Sequence, residues 1–407
     1  MSIKVGSSAT RARRSDAPHA RIMPGSMELP ELPLFRAFPA ARERLAWRRF
    51  VGTPTPVSAL PVDALHGGVL HVKHDERSCP SYGGNKPRKL EFVIGHALSR
   101  GARRLVTTGG LGTNHGLATT ILGREAGLAT TLVLVRQPVT EEVRRTLLLH
   151  ASYGAEHVFG ASVAACAAHV LRVLVRSAAR GERPYLVPTG GSSARGDLGF
   201  VSAAFELAEQ VRAGLLPEPR ELFVAVGSGG TLAGLVLGLR LAGLRTRATG
   251  VLVTDILPPS PARLLGAARR TLRLLRRADP SVPEIALERD DFPLLRDQLG
   301  AGYGAPTPEA EAAVRYAAER GLRLDTTYTG KCLAALRARA ARGTLREGPV
   351  LFWNTFNAVD VASRAPRRAS EADLPGPIRR LLGASASSAA SRRAGAPAPA
   401  PGPPAGV

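Results

Sequence analysis

Lysine is scarce in this chain of 407 residues, and arginine supplies nearly all of its positive charge. Of the 55 lysine and arginine residues, five are lysine: Lys4, Lys73, Lys86, Lys89 and Lys331. An amine can lose its proton and attack a carbonyl carbon, whereas a guanidinium, with a pKa above ~12, stays protonated. A lysine kept against this bias is therefore a candidate for covalent chemistry.

Cysteine is also rare, and Cys79, Cys166 and Cys332 lie far apart in the sequence. There is no CxxC pair and no His/Cys cluster at the spacing of metal ligands, so the sequence predicts neither a zinc site nor a disulfide framework. Isolated thiols are typical of a reducing compartment, and the N-terminal residues include no apolar segment of the kind found in secretory signals. We therefore expect a cytoplasmic protein without a metal site.

Acidic residues are too few to balance the arginines, and the formal net charge is +22. Such a charge is found in proteins that bind nucleic acid or membranes. The densest basic run, 263–277, alternates with leucines at helical spacing, however, and no aromatic–basic recognition pattern accompanies it, so it indicates a helix with one solvated face. The uncharged stretch 222–239 is long enough to resemble a membrane span, but a Gly-Ser-Gly-Gly-Thr loop divides it. We expect neither kind of partner.

Between its two ends the chain alternates short β-rich runs with helical patterns. Several runs are apolar throughout, which favours parallel sheets covered by helices on both faces. Such sheets bind ligands on the loops that follow the carboxyl ends of their strands. The candidate strands are 69–72, 104–108, 130–135, 156–159, 185–187, 222–226, 249–254 and 350–353.

Lys86 belongs to the run Gly-Gly-Asn-Lys-Pro-Arg-Lys at 83–89. Pro87 suits the first turn of a helix, and the apolar positions that follow recur at helical spacing. Lys86 is therefore expected at a helix entrance, where the helix dipole and the neighbouring Arg88 and Lys89 favour the neutral amine. A surface lysine in a turn is the structural alternative.

A second stretch ends a β-run in glycines and opens a helix with Thr113, Asn114 and His115. The free N–H groups of a helix entrance suit a carboxylate or a phosphate group. Ordinary helix capping accounts equally well for Thr113 or Asn114, and His115 is either a general base or a polar residue at a helix start.

A third stretch, 224–232, combines a strand, a loop of small residues and a helix start. Backbone N–H groups of such a loop can surround a phosphate, with hydroxyls from Ser228 and Thr231. The loop lacks the Gly-Lys-Ser/Thr of a Walker motif. It also fails the dinucleotide fingerprint, because Gly227 and Gly229 match the first two positions but Leu232 occupies the third; Asp255, after the next strand, could still bind a ribose.

Two of the six tyrosines, Tyr303 and Tyr328, lie on predicted loops next to or near glycines, and Thr329 and Lys331 follow the second of them. Together the four stretches supply an amine nucleophile, a phosphate-binding loop, an anion site and hydroxyl groups. Pyridoxal 5′-phosphate would use all of them, because it carries an aldehyde, a phosphate and a ring nitrogen that needs a partner.

With these motifs the chain resembles the 1-aminocyclopropane-1-carboxylate deaminase/D-cysteine desulfhydrase group of pyridoxal-phosphate enzymes. The resemblance runs from about residue 53 to about residue 355, its most specific part is 83–91, and the motifs occur in the family's order. It implies a tryptophan-synthase-β-like α/β fold: two three-layer domains, each with an open, twisted, mostly parallel sheet, and a cofactor cleft between them. A homodimer follows by family analogy.

The implied large, cofactor-binding domain comprises 46–91 and 193–383, and the implied small domain comprises 92–192. The resemblance does not account for the two ends. Residues 1–45 are expected to form a basic, partly disordered extension, and the Ala/Pro/Ser/Arg-rich tail 384–407 is expected to be disordered.

The resemblance also implies a role for each matching position. Lys86 would bind the cofactor aldehyde covalently and later move the substrate's proton, and Tyr303 and Tyr328 would flank the substrate as further catalytic residues. Asn114 would hydrogen-bond the ring hydroxyl, and Thr329 would be the partner of the pyridine nitrogen. The substrate carboxylate would lie at Thr113, Asn114 and His115. The phosphate would lie at Lys89, Gly227, Ser228, Gly229, Gly230 and Thr231.

Thr329 bears on the reaction, because the deaminases resemble one another in having glutamate there. A hydroxyl leaves the ring nitrogen largely neutral, which suffices for loss of an α-proton and departure of a good β-leaving group. The deaminases also resemble one another in having an apolar residue where this chain has Thr355. This difference, too, makes the chain resemble the desulfhydrases. The resemblance therefore implies a carbon–sulfur lyase acting on a small amino acid, a D-cysteine desulfhydrase. Deamination of 1-aminocyclopropane-1-carboxylate, or another β-elimination, is the alternative.

The segment 352–357 departs from the family, since relatives usually have a Gly-Gly pair beside the cofactor where this chain has Phe356 and Asn357.

Two hypotheses of other classes also stay open. A dinucleotide-dependent oxidoreductase would use Gly227, Gly229 and Asp255 but leaves Lys86 without a function. A non-catalytic basic binding protein would explain the charge and the altered segment.

Overall fold

The computed structural model describes residues 31–62 and 68–383. The strands are β1 (Val57–Pro61), β2 (Val69–His74), β3 (Arg104–Gly110), β4 (Ala129–Val135), β5 (Glu156–Gly160), β6 (Pro184–Leu186), β7 (Glu221–Val226), β8 (Arg247–Leu252), β9 (Leu294–Leu295) and β10 (Val350–Asn354). The α-helices are α1 (Pro33–Ala37), α2 (Pro39–Arg44), α3 (Lys86–Ser99), α4 (Asn114–Glu125), α5 (Glu141–Ser152), α6 (Val163–Ala179), α7 (Ala194–Arg212), α8 (Gly230–Leu241), α9 (Pro261–Ala278), α10 (Pro308–Ala318) and α11 (Thr329–Ala341). Residues 376–383 are also helical.

Two sheets organise this part of the chain. The larger has the order β1-β2-β10-β7-β8-β9 and the smaller has the order β5-β4-β3-β6. β1 pairs with β2 in antiparallel orientation, and the other strand pairs in the described ranges are parallel. The predicted α/β class with open, mostly parallel sheets is therefore confirmed.

The larger sheet is covered on both faces, as β7 illustrates. All of its residues are buried. Because side chains alternate along a strand, Leu222 and Val224 pack with α7, α8 and α9 on one face, whereas Phe223 and Ala225 pack with α10 and α11 on the other. The result is the predicted three-layer arrangement, with loops free at the carboxyl edge of the sheet.

The first described residues belong to the stretch predicted as a basic, partly disordered extension, 1–45. This stretch includes α1 and α2, and Leu34, Phe35 and Ala41 are buried in the core beside α7. These apolar side chains recur at helical spacing over too short a stretch for the pattern to be recognised. Residues 1–30 and 384–407 lie outside the described residues, so the disorder expected there stays a prediction.

The C-terminal segment packs on the smaller sheet. Residues 374–383, assigned to the large domain, bury Leu374, Ile378 and Leu382 against Leu132 and Leu134 of β4, in the smaller sheet. The chain therefore returns from the larger sheet to the smaller one before it ends. The other boundaries, between 46–91, 92–192 and the residues from 193 onward, stay a prediction. In the described ranges, none of the helices has the length and apolar composition that crossing a membrane requires.

Candidate active site

A cleft of ≈ 920 Å³ is lined by loops that follow strands of both sheets. Helices α3, α4 and α8 begin at this cleft, and the loops after β3, β7 and β10 contribute to its wall. The predicted site residues that line it are Lys86, Lys89, Thr113, Asn114, His115, Gly227, Ser228, Gly229, Thr231, Tyr303 and Tyr328. Gly230 and Thr329 are predicted site residues that lie behind its surface.

Lys86 is the first residue of α3 and follows the tripeptide Gly83-Gly84-Asn85. Gly84 has a φ of 84°, and a Cβ there would lie 2.6 Å from the carbonyl oxygen of Thr355, so glycine is required for the close approach of the two loops. Burial, followed by the charge of Lys89, lowers the pKa of Lys86 to about 7. A large fraction of the amine is therefore neutral and nucleophilic near neutral pH.

The other described lysines away from the cleft have structural partners. Lys73 is fully buried and donates to Glu206 and Gln210. Lys331 Nζ donates to the Leu299 carbonyl oxygen at 2.8 Å. Within the described ranges, Lys86 and Lys89 are thus the lysines that line the cleft.

The glycine loop at 227–231 joins β7 to α8, and Gly229 has a φ of 91° at the helix entrance. Ser192 Oγ accepts from Lys89 Nζ at 2.9 Å and from the Gly230 N–H at 3.1 Å. Both lone pairs of Ser192 are then used, so its own proton goes to Ser228 Oγ, 2.7 Å away. The Ser228 proton, the Lys89 ammonium and the helix-entrance amides remain for an anion.

Asn85 connects the reactive lysine to this loop. Its Oδ1 accepts from Lys86 Nζ at 2.7 Å, and its Nδ2 donates to Thr231 Oγ1 at 3.1 Å. Amine and anion-binding loop are therefore separated by the length of one side chain, which suits a ligand with an aldehyde at one end and a phosphate at the other.

Asp197, in the first turn of α7, lies behind the glycine loop and is 1% exposed. A Cβ on Gly230 would lie 2.1 Å from Asp197 Oδ1, which explains why position 230 has no side chain. Burial raises the pKa of Asp197 to about 7, although the charge of Lys89 opposes this shift. The carboxyl group is therefore partly protonated near neutral pH.

The entrance of α4 is capped by Thr113, whose Oγ1 accepts from the Gly116 N–H at 3.2 Å. The capping interpretation of Thr113 is thus confirmed. The amides of Asn114 and His115 precede the first helical hydrogen bond, so they face the cleft entrance as donors for a carboxylate.

His115 is buried and neutral. Thr107 Oγ1 donates to the Val187 carbonyl oxygen at 2.8 Å and therefore accepts from His115 Nε2–H at 3.0 Å. Nδ1 is then a bare acceptor, without a hydrogen-bond partner in the described part of the chain. Burial, followed by the charges of Lys86 and Lys89, lowers the pKa of His115 far below its usual value. A carboxylate at His115 would consequently be bound by the backbone N–H and not by the ring.

Tyr303 and Tyr328 contact each other, with their hydroxyl oxygens 2.5 Å apart and their rings in an edge-to-face arrangement. Burial raises the pKa of both hydroxyls above the usual value for tyrosine. Both groups are therefore protonated at neutral pH, and because one hydroxyl donates to the other, one proton of the pair remains for a ligand inside the cleft. Asp255 Oδ1 accepts from the Tyr303 N–H at 2.9 Å, so this carboxylate supports the tyrosine loop.

Thr329 begins α11 and is held by Asp325. Its Oγ1 donates to Asp325 Oδ2 at 2.8 Å and accepts from the Asp325 N–H at 2.9 Å. Asp325 Oδ1 accepts from the amides of Thr327 and Tyr328, so both carboxylate oxygens are engaged. For Thr329 to donate to a pyridine nitrogen, as predicted, its hydroxyl proton would have to turn away from Asp325.

Residues 355–357, which belong to the altered segment 352–357, also line the cleft. Asn357 Oδ1 accepts from the Gly83 N–H at 2.8 Å, and the Thr355 and Phe356 carbonyl oxygens lie against Gly84. The loop before α3 and the segment 355–357 can approach each other closely because Gly83 and Gly84, in the loop, have no side chains. The segment itself contributes no glycine to this approach.

Three contributors to the site were missed at the sequence level: Asn85, Asp197 and Asp325. Asn85 lies in the recognised run at 83–89, and its position between a glycine pair and the lysine is the available signal. Asp325 accepts from the N–H groups two and three residues further on, a local pattern that aspartate commonly forms in turns. Nothing in the sequence links Asp197 to Gly230.

Comparisons with known proteins agree with this geometry. A family model described as pyridoxal-phosphate dependent enzyme matches residues 49–355. The D-cysteine desulfhydrases of two strains of Klebsiella pneumoniae (342 and ATCC 700721 / MGH 78578) are each 34% identical to this chain over 321 residues, which cover 76% of this chain and 93% of those proteins.

Solved structures show the same fold. The crystal structure of an ACC deaminase homologue has a TM-score of 0.69 and 28% identity, over 81% of this chain and 95% of that chain. A hydrogen sulfide-producing enzyme from Fusobacterium nucleatum has a TM-score of 0.51 and 14% identity, over 78% of this chain and 96% of that chain. The predicted tryptophan-synthase-β-like fold is therefore confirmed.

Proposed function

Because this chain belongs to the family of pyridoxal-phosphate-dependent enzymes, we propose that it is a D-cysteine desulfhydrase, which converts D-cysteine and water into pyruvate, sulfide and ammonia. The observation that carries the proposal is the pair of hydrogen bonds by which Asn85 joins Lys86 to the glycine loop. The curated relatives at 34% identity support the choice of substrate.

The cleft fits the cofactor. We propose that Lys86 binds its aldehyde carbon, that Asn114 contacts its ring, and that the glycine loop with Lys89 holds its phosphate. Thr329 would reach the ring nitrogen once its hydroxyl proton turns away from Asp325. A side chain at Gly229 would meet Leu264 of α9, and one at Gly230 would meet Asp197 of α7, so glycine at these positions lets the loop pack against both helices. When bound, pyridoxal phosphate withdraws electron density from the substrate's α-carbon and so eases loss of its proton.

The chain's own residues would carry out the proton transfers. Lys86, with a pKa near 7, is suited both to accept the α-proton at neutral pH and to return it. The amides of Asn114 and His115 bind the substrate carboxylate and orient the α-carbon. Tyr303 and Tyr328 are both protonated, and the hydroxyl proton that is not used between them donates to the departing sulfur.

The test is release of sulfide and pyruvate, in equal amounts, from D-cysteine by the cofactor-loaded protein. L-cysteine, D-serine and 1-aminocyclopropane-1-carboxylate are supplied in parallel. Lys86→Ala should abolish turnover, whereas Lys331→Arg, a lysine change away from the cleft, should retain it. A cofactor-loaded protein that releases no sulfide from D-cysteine would refute the substrate assignment while leaving the family membership intact.

Deamination of 1-aminocyclopropane-1-carboxylate is the second candidate, favoured by the TM-score of 0.69 to the ACC deaminase homologue. Position 329 argues against it, since a threonine already engaged by Asp325 cannot hold the ring nitrogen protonated as a carboxylate would. Release of 2-oxobutyrate from this substrate, without sulfide release from D-cysteine, would reverse the order of the two candidates.

We further propose a cytoplasmic setting, a homodimer and closure of the two domains over the substrate. Cys79, Cys166 and Cys332 are buried free thiols, which supports a reducing compartment. Leu171 and Val175 expose more than half of their side chains on α6, and this supports a contact with another subunit. Analytical ultracentrifugation would measure the oligomeric state.

A further inference from the structure

A second cavity of ≈ 510 Å³ lies between the first turn of α7, helix α9 and strand β6, and it shares no lining residue with the cleft. All of its charged side chains are arginines: Arg195, Arg270, Arg273 and Arg277. We call it the arginine cavity. The three from α9 are spaced by three and four residues and so share one face of that helix.

These arginines differ from their neighbours on α9. Outside the cavity, Arg269 donates to the Leu287 carbonyl oxygen at 2.9 Å, and Arg276 pairs with Glu284 at 3.4 Å. Among the described residues, the side chains of the four cavity arginines form no ion pair and no hydrogen bond, although the charge of Arg270 acts on the buried carboxyl group of Asp197. Arg270, Arg273 and Arg277 are exposed and Arg195 is half-buried, so water and salt screen part of the repulsion between these four like charges, and a bound anion would remove the rest.

The entrance of α7 adds a second anion-binding feature. Arg195 lies in the first turn of this 19-residue helix, where the helix dipole disfavours a cation. Ser193 Oγ accepts from the Gly196 N–H at 3.1 Å, which leaves the serine proton free for a ligand. A phosphate at this place would interact favourably with the dipole, the serine hydroxyl and Arg195 at once.

The rest of the wall is apolar. It is formed by Tyr185, Leu186, Pro188 and Leu274. Leu186 lies on β6, an edge strand of the smaller sheet, and this large hydrophobic residue is 47% exposed. Tyr185 lines the cavity, and its position is held by the hydrogen bond between its hydroxyl and His96 Nδ1, 2.9 Å away. A purely inorganic anion would leave this apolar surface uncovered.

From this combination we infer that the arginine cavity binds a small organic anion in which an apolar ring carries two or more phosphate groups, the chemistry of a nucleotide. The phosphates contact the arginines and the α7 entrance, and the ring covers Tyr185 and Leu186. A cavity of ≈ 510 Å³ is within the usual range for small-molecule sites. The inference is independent of the reaction in the cleft.

The experiment is isothermal titration calorimetry on the cofactor-loaded full chain at about 0.15 M ionic strength. ATP, tripolyphosphate and adenosine are the probes. We expect ATP to bind with a stoichiometry of one, tripolyphosphate to bind about tenfold more weakly because it lacks the ring, and adenosine to give no measurable binding. The visible absorbance of the bound cofactor should not change, which places the ATP outside the cleft.

Matched variants separate the cavity from general charge. Arg273→Gln/Arg277→Gln should weaken ATP binding at least about tenfold, whereas Arg269→Gln/Arg276→Gln, with the same loss of charge on the same helix, should change it less than about twofold. Equal weakening by both pairs, or no ATP binding by the unaltered protein, would refute the inference. Tighter binding of a single-stranded oligonucleotide through the same arginines would also refute it, in favour of a nucleic-acid surface.

Discussion

At the residue scale, the chemistry of the cleft depends on the charge of one amine. Burial of Lys86 and the nearby charge of Lys89 disfavour the ammonium form, so its pKa lies at about 7 and not near 10.5, the ordinary value. Because the pKa is lowered, the neutral amine is the dominant form above pH 7 and is lost as the pH falls through this value.

We therefore expect the rate at which the cofactor-free protein forms a borohydride-reducible bond with pyridoxal phosphate to rise up to about pH 7 and to level off above it. Rapid-mixing absorbance gives the rate, and mass spectrometry of the reduced adduct gives the position. The Lys86→Ala variant should form no adduct in the peptide that contains position 86. A rate that keeps rising about tenfold per pH unit up to pH 9 would indicate an ordinary lysine.

Gly84 is the second critical residue, because its backbone conformation and its lack of a side chain hold Lys86 against the loop at 355–356. Gly84→Ala should weaken pyridoxal phosphate binding at least about tenfold, since the new Cβ displaces that loop. Gly127→Ala is the matched control: its φ of 76° imposes similar strain, but no atom lies within 4 Å of the new Cβ. Similar losses of affinity in both variants would show that strain alone is responsible. Cofactor fluorescence titration measures the affinity.

At the element scale, α3 is fixed by a buried ion-pair network. Arg88 binds Asp75 after β2 and Glu206 of α7, and both carboxylates are buried. The charges of Arg88 and Lys73 outweigh the effect of burial and lower the pKa of Glu206 to about 2. The network therefore holds the helix that carries Lys86 against the larger sheet.

Arg88→Met should lower the free energy of unfolding by about 3–5 kcal/mol, because it leaves the buried carboxylate of Asp75 without its cation and leaves Glu206 with Lys73 alone. Arg36→Met removes an exposed pair with Glu209 and should cost less than about 1 kcal/mol. Urea unfolding of the cofactor-free protein compares the two midpoints. Coincident midpoints would contradict a structural role for the network.

The elements themselves were largely predictable. Each of the eight predicted strands is present within two residues of its expected bounds, because buried parallel strands are continuous apolar runs. β1 and β9 were missed: β1 is a half-exposed edge strand containing serine and proline, and β9 has two residues. In the site, Lys86 and the glycine loop could be found from local patterns. Asp197 could not, because its importance arises from contact with Gly230, which is distant in sequence.

At the scale of the whole molecule, the C-terminal segment joins the two sheets. Ile378→Ala should lower the free energy of unfolding by about 2–5 kcal/mol, since this side chain is buried beside Leu132 and Leu134 of the smaller sheet. Arg379→Ala, at the exposed neighbouring position, should change it by less than about 0.5 kcal/mol. Urea unfolding measures the free energy of unfolding of both variants. Equal values for Ile378→Ala and Arg379→Ala would mean that the C-terminal segment does not pack on the smaller sheet in solution.

The distribution of lysine has a practical consequence for handling this protein. In the described ranges, Lys73, Lys89 and Lys331 are buried and Lys86 lines the cleft, so the exterior there presents guanidinium groups and no freely accessible ε-amine. Succinimidyl esters and other acylating dyes will consequently react slowly with this part of the chain. Where they do react, the modified peptide should be the one containing position 86, and prior saturation with vitamin B6 phosphate should protect it.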